Sequence, residues 1–148
     1  MVEIYHLISI DADLTSVLAL VQPEGFTQWW AEDVFEEGGA VHLGFFNRAT
    51  VYRLSEALDV EYREAELMYP VTAWRCETGA EWSNTVLVFT PYLKDRKTFL
   101  HFTHTNWHEA TEYFHLCNTT WGALMYRLKA AAEGKGAGPM FRTNGLAY

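Results

Sequence analysis

Hydrophobic and polar positions alternate at the start of the chain: Ile4, His6, Ile8 and Ile10 fall on one face of an extended segment, Tyr5, Leu7 and Ser9 on the other. With its β-branched content, that period of two predicts a strand from Val2 to Ile10. Asp11 and Asp13 end it, and Asp13 or Thr15 is placed to cap a helix whose face is Val17, Leu18, Leu20 and Val21 and which stops at Pro23. Pro23 then opens a second short helix with Phe26, Trp29 and Trp30 on its inner side. Neighbours on a helix diverge by about 100°, so Trp29 and Trp30 are expected not to share one contact, one packing in the core and the other lining a pocket mouth.

After Glu36-Glu37-Gly38-Gly39 the pattern turns strand-like: Val41 to Phe46, Thr50 to Leu54, Leu67 to Cys76, Thr85 to Thr90 and Thr98 to Thr105. Asn47-Arg48, Glu77-Thr78-Gly79 and Lys94-Asp95-Arg96-Lys97 separate them as turns. The charged stretch Ser55 to Glu66 fits either a strand continuation or a short helix. Pro70 lacks an N–H, which places a bulge or a strand start near it. From about Glu109 to Glu133 the period becomes helical, with Phe114, Cys117, Trp121, Leu124 and Leu128 in one stripe on a helix about 36 Å long. Gly134, Gly136 and Gly138 end it before Pro139.

The order strand, two short helices, antiparallel meander and long helix is α+β. A twisted antiparallel sheet wraps such a helix, and the space between them is where a large cavity fits. No repeat or linker divides the chain, which forms one domain over 1–139 followed by a tail at 140–148.

Composition sharpens this picture. In 148 residues, 49% are hydrophobic and 20% charged, which is globular, while 16% are aromatic, more ring surface than a small core needs for itself. The net charge of -8 excludes a sequence-independent nucleic-acid binder, which needs clustered Lys and Arg. Acidic residues concentrate before Leu67, where they either face a basic partner or, as is usual for acidic strands and loops, form a solvated surface. Cys76 and Cys117 have no paired neighbour, no basic-led apolar leader is present, and no run approaches about 18 apolar residues. The expectation is a soluble cytoplasmic protein with reduced thiols and no integral membrane association.

Several spaced motifs carry a resemblance: Gly25-Phe26-x-x-Trp29-Trp30, Trp74-Arg75-Cys76, Glu81-Trp82-x-x-Thr85, Thr98-x-Leu100-x-Phe102-x-His104, Trp107, and Cys117-x-x-x-Trp121 leading into Leu128-Lys129 and Glu133-Gly134. In order and spacing they resemble the SRPBCC (START-like, helix-grip) superfamily. Within it they are most similar to the branch named for activators of the heat-shock chaperone ATPase and for the enediyne-resistance protein CalC. The resemblance runs from about Ile4 to Pro139 and departs from the pattern in Ser55 to Glu66. It implies a helix-grip fold around an apolar pocket, in a superfamily that binds lipids, polyketides or hormones and includes some cyclases and cochaperones. It carries no catalytic set onto this chain.

The residues themselves contain no metal or nucleophile motif. His104, His108 and His115 are the best histidine cluster, but in His108-Glu109-x-x-Glu112 a carboxylate replaces the second imidazole of a zinc helix, and His101 and His104 point to opposite strand faces. Cys117 lies in the helix stripe as a small apolar group. No metal or cofactor is expected. His104 shares a strand face with Leu100 and Phe102, where an imidazole either orients a ligand or ties strand to helix. The expected function is binding a hydrophobic or aromatic small molecule without chemical change. Trp30, Tyr52, Tyr69, Trp74, Phe89, Phe102, His104, Phe114, Cys117 and Trp121 are the candidate wall. A polyketide-cyclase-like enzyme using His104 or a Tyr, and a cochaperone-like interaction module, are the rival readings. Val86, Val88 and Phe99 put apolar groups on the opposite sheet face and leave a homodimer open.

Overall fold

Strand β1 (Val2–Ile10) begins a computed structural model that describes residues 1–55, 58–61, 65–76, 79–143 and 145–146, with 58–61 and 65 described by backbone alone. Helix α1 (Leu14–Leu20) starts where Asp13 accepts a hydrogen bond from the Ser16 N–H at 2.7 Å, and it buries Val17 and Leu20. A 3-10 turn, Pro23–Gln28, follows with Pro at its start. Gly25 is required there, because a Cβ would enter the backbone of Ala19 and Leu20.

The sheet then builds outward. Strands β2 (Asp33–Glu37), β3 (Ala40–Phe45), β4 (Thr50–Leu54), β5 (Leu58–Glu61), β6 (Ala65–Cys76), β7 (Val86–Lys94) and β8 (Lys97–Trp107) join β1 in one antiparallel sheet. Its order is β1-β8-β7-β6-β4-β3-β2, with β5 also beside β6. Strand β2 begins before the Gly38-Gly39 turn, earlier than the pattern predicts, because Phe35 is its one large apolar side chain. The described part of 55–66 is the strand alternative, β5; positions 56, 57 and 62–64 of that stretch, and Glu77 and Thr78 of the expected turn, lie outside the described residues.

Pro70 sits within β6 where its partner changes from β5 to β4, and the Ser55 N–H donates to its carbonyl at 2.9 Å. In a strand, a residue's nitrogen and carbonyl point the same way, so the missing N–H falls at the break between two partners and disrupts no ladder. The bulge lies four residues on: Val51 pairs with Arg75 but Tyr52 with Ala73, leaving Trp74 as the extra residue.

Helix α2 (Glu112–Ala132) crosses the sheet, about 31 Å long. It starts at Glu112, since Thr111 caps it by accepting from the Phe114 N–H at 3.2 Å. The expected stripe is buried together with Met125. His6 Nε2 meets Asn118 Oδ1 at 2.9 Å, while Lys129 Nζ reaches Ser9 O and Glu133, each at 2.7 Å, so β1 is tied to the helix at its middle and near its C-terminal end. No helix among the described residues is long and apolar enough to cross a membrane.

The segment after Pro139 packs against the domain as a two-stranded hairpin, β9 (Phe141–Arg142) with β10 (Gly145–Leu146). Met140 and Phe141 N–H groups donate to Trp29 O and Trp30 O, the Glu32 N–H returns to Phe141 O, and Arg127 Nε donates to Gly138 O at 2.7 Å. These bonds make the hairpin a strap across one end of the fold.

Candidate functional site

Sheet curvature and α2 border a half-open cavity of about 760 Å³, within the range of small-molecule sites. Phe45 from β3 with Thr50 and Tyr52 from β4 form its sheet side, and Trp30 and Trp82 its inner end. Helix α2 contributes Tyr113, Cys117, Thr120, Trp121 and Leu124, while Met140, Phe141 and Leu146 close it from the strap. The described lining carries no charged side chain.

The inner wall is a pile of rings. Tyr52 stacks on Trp82 at 4.1 Å and 11°, Trp82 lies 5.9 Å from Trp121 at 19°, and Trp30 meets Trp121 at 5.1 Å. Trp29 and Trp30 do share a contact, against the helical expectation: their rings stack at 5.6 Å, and both touch Phe26. The 3-10 turn ends at Gln28, so neither tryptophan is on a helix and the 100° rule does not apply. Both are fully buried, with Trp29 Nε1 donating to Leu20 O at 2.8 Å.

One end of the cavity is polar. Tyr52 Oη lies 3.2 Å from Gly79 O and 3.1 Å from Tyr113 Oη, and Trp82 Nε1 donates to Cys117 Sγ at 3.4 Å. Gly79 has φ +80, and a Cβ there would overlap the Tyr52 and Tyr113 hydroxyls. Only glycine tolerates both that backbone and that approach. Burial pushes the proton affinity of Tyr52, Tyr113 and Cys117 up, so all three are neutral groups.

His104 stands behind this wall, fully buried. Trp121 Nε1 donates to its Nδ1 at 3.1 Å, and an indole N–H can only donate. The imidazole proton is therefore on Nε2, which donates to Thr85 Oγ1 at 2.8 Å, and Thr85 passes its own proton to Trp82 O. Burial pushes the His104 pKa down to about 3. The imidazole thus positions two cavity rings, Trp121 and Trp82, without reaching the cavity.

Of the ten candidate wall residues, Trp30, Tyr52, Cys117 and Trp121 line the cavity. The other six are placed elsewhere for separable reasons. Both nitrogens of His104 are taken. Phe89 and Phe102 pack on each other at 5.0 Å beneath Trp121 and Phe26, in solid core. The Tyr69 hydroxyl donates to Val21 O at 2.8 Å, which holds it against α1. Phe114 packs edge-on against Trp107 at 5.2 Å. Trp74, turned outward by the bulge, is 53% exposed and covers His42 on the other sheet face. Sequence reasoning missed Phe45, Trp82, Tyr113, Met140 and Phe141. Tyr113 had a signal, since it precedes Cys117 and Trp121 by four and eight residues on one helix face. Among the described residues no three of His, Cys, Asp or Glu stand together as metal ligands.

No protein-family profile matches the chain, nor does any curated protein. Solved structures do. The Aha1 dimer from Colwellia psychrerythraea is similar at 26% identity and a TM-score of 0.70, over 91% of this chain and 98% of that one. A Chromobacterium violaceum protein is similar at 17% identity and a TM-score of 0.67, over 88% of this chain and 96% of its own. DynU16, a protein in the dynemicin biosynthetic locus, is 13% identical with a TM-score of 0.62, over 88% of this chain but 47% of that one. The last two show the fold alone.

Proposed function

On the premise of an SRPBCC helix-grip fold of the Aha1-like kind, we propose that the protein binds a hydrophobic or aromatic small molecule, lipid- or polyketide-like, and leaves it chemically unchanged. The observation that carries this is the 760 Å³ uncharged, ring-lined cavity between sheet and long helix. His104 lies behind the wall with both nitrogens bonded, and Tyr52 and Tyr113 hold their protons tightly, so neither type of group is poised as a base. The rival cyclase reading, with His104 or a Tyr as acid or base, would then need a Tyr as the acid, since Tyr52 and Tyr113 are un-ionised. The working compartment on this reading is the cytoplasm.

The test is a titration with a hydrophobic fluorescent probe, followed by tryptophan emission. Trp30, Trp82 and Trp121 line the cavity, so their emission should change on binding. Cys117→Trp places a ring in the same space and should abolish probe binding, at a stability cost of about 1–3 kcal/mol. Wild-type protein that binds no apolar probe, alongside a Cys117→Trp chain that fails to fold, would sink the proposal.

A second reading concerns assembly. We propose that the chain forms a homodimer, as its 26%-identical neighbour is described to do. The outer sheet face supports this with Tyr5 and Leu7 about half exposed, and with Tyr5 against His101 and Tyr92 against Phe99 at 4.5 and 5.7 Å.

A further inference from the structure

Strand β1 ends the sheet path, and the direction of its backbone groups follows from the turn between β7 and β8. Lys94 and Lys97 close a two-residue turn in which Asp95 and Arg96 have φ +52 and +64, so that pair exchanges both of its bonds. Counting by twos, Thr98, Leu100, Phe102 and His104 turn theirs toward β1, where they meet Ile10, Ile8, His6 and Ile4. Tyr5, Leu7 and Ser9 therefore point their N–H and C=O groups outward, away from β8. The fold covers one end of that edge: Lys129 Nζ donates to Ser9 O at 2.7 Å, and Glu133 accepts from the Asp11 N–H at 2.8 Å. At the other end the register shifts between Val2 and Ile4. Between those ends the strand is reachable. Ile4 and Ile10 are buried, whereas His6 and Ile8, on the same inner face, keep part of their surface. Tyr5 and Leu7 are about half exposed on the outer face.

Resting on the homodimer reading above, we infer that this edge pairs antiparallel with the same edge of a second copy, Tyr5 opposite the copy's Leu7 about a twofold axis at His6. An open sheet edge is a template for another strand, and proteins blunt the edges they do not use. Strand β2, at the far end of the sheet path, is blunted by Asp33, Glu36 and Glu37, charges that would repel a copy of themselves. From Ile4 to Ile10, β1 contains no Asp, Glu, Lys or Arg. An antiparallel partner must also offer outward-pointing groups at every second residue, and β1 itself does. Tyr5 meets Leu7 on both sides of the axis, each pair exchanging both bonds and setting a tyrosine ring beside a leucine on the outer face. With Leu7 opposite itself, Tyr5 would meet Ser9, whose carbonyl Lys129 already holds. With Tyr5 opposite itself, Leu7 would meet Glu3, in the irregular stretch.

The experiment is amide hydrogen exchange on the intact chain at high and low concentration, with sedimentation equilibrium to give the species present. In the dimer the Tyr5 and Leu7 N–H groups should exchange about tenfold or more slower than in the diluted chain, while those of His6 and Ile8, bonded to β8, stay protected in both. Leu7→Pro deletes an outward N–H and none of the β8 ladder. It should raise the dimer dissociation constant about tenfold or more with circular dichroism unchanged, since the twofold doubles the loss of one neutral hydrogen bond. Leu7→Ala keeps that N–H and should raise it less. A dimer whose Tyr5 and Leu7 amides exchange as fast as in the monomer overturns the edge pairing and leaves the homodimer reading standing. So does a dimer that Leu7→Ala weakens as much as Leu7→Pro. If Leu7→Pro does not fold, the wild-type exchange rates decide. A monomer at every concentration sinks the homodimer reading, and the inference falls with it.

Discussion

His104 illustrates how much a single side chain settles. Its tautomer is fixed by a donor-only neighbour, and its burial excludes the charged form. Unfolded, a histidine takes up a proton near its ordinary value of 6.5; folded, this one does so near 3. Between those limits the unfolded chain holds more protons, so stability is full above about pH 6.5 and drains away as pH falls toward 3. His42, also shifted down by burial, adds in the same direction. Glutamine can accept from Trp121 and donate to Thr85 without titrating, so His104→Gln should give a melting temperature that falls less steeply than wild type between about pH 7 and pH 4. Parallel curves in a thermal-melt series would remove His104 from that role. Strand alternation correctly gave its face, shared with Leu100 and Phe102. Alternation says nothing of depth, and the depth is set by Trp82 and Trp121, whose positions depend on contacts across the chain.

At the scale of elements, periodicity was informative wherever a segment was long. The α2 stripe, the β1 faces and the β7–β8 pairing all follow from spacing, whereas Pro70, which argued against a central strand, lies inside the central strand β6, with the bulge four residues on. The strap was not legible, because Met140 and Phe141 stand alone after a glycine-rich stop and are too few to show a period. Yet Met140 is buried, and Phe141 meets Phe45 and Phe46 at 4.9 and 6.2 Å. Phe141→Ala should therefore cost about 1–3 kcal/mol in a urea titration, since a half-buried ring loses part of its apolar cover. It should also weaken a bound hydrophobic probe severalfold. Unchanged probe affinity would place the ligand away from the strap.

For the whole molecule, the candidate homodimer makes a mass prediction. Sedimentation equilibrium should find twice the 17.0 kDa of one chain, falling toward one chain on dilution, and Leu7→Glu on the half-exposed outer face should push it to monomer. A monomer at every concentration would dismiss the assembly. The aromatic excess pointed to a hollow fold, but no composition could say which rings border the space and which fill the core. That division is made by curvature, which brings β3, β4 and the strap to one side of Trp121 and leaves Phe89 and Phe102 on the other. The sheet's order has a further result, which belongs to time. Strand β1 pairs with β8, so that Val2 lies opposite Trp107 and Ile10 opposite Thr98. The residues of β1 must wait for those of β8, far along the chain, before they find a strand neighbour, and closing so long a loop comes before any gain from its contacts. Folding is accordingly expected in milliseconds to seconds instead of microseconds. Through that interval Ile4, Ile8 and Ile10 have no cover, and it is then, more than in the finished protein, that the chain is open to aggregation.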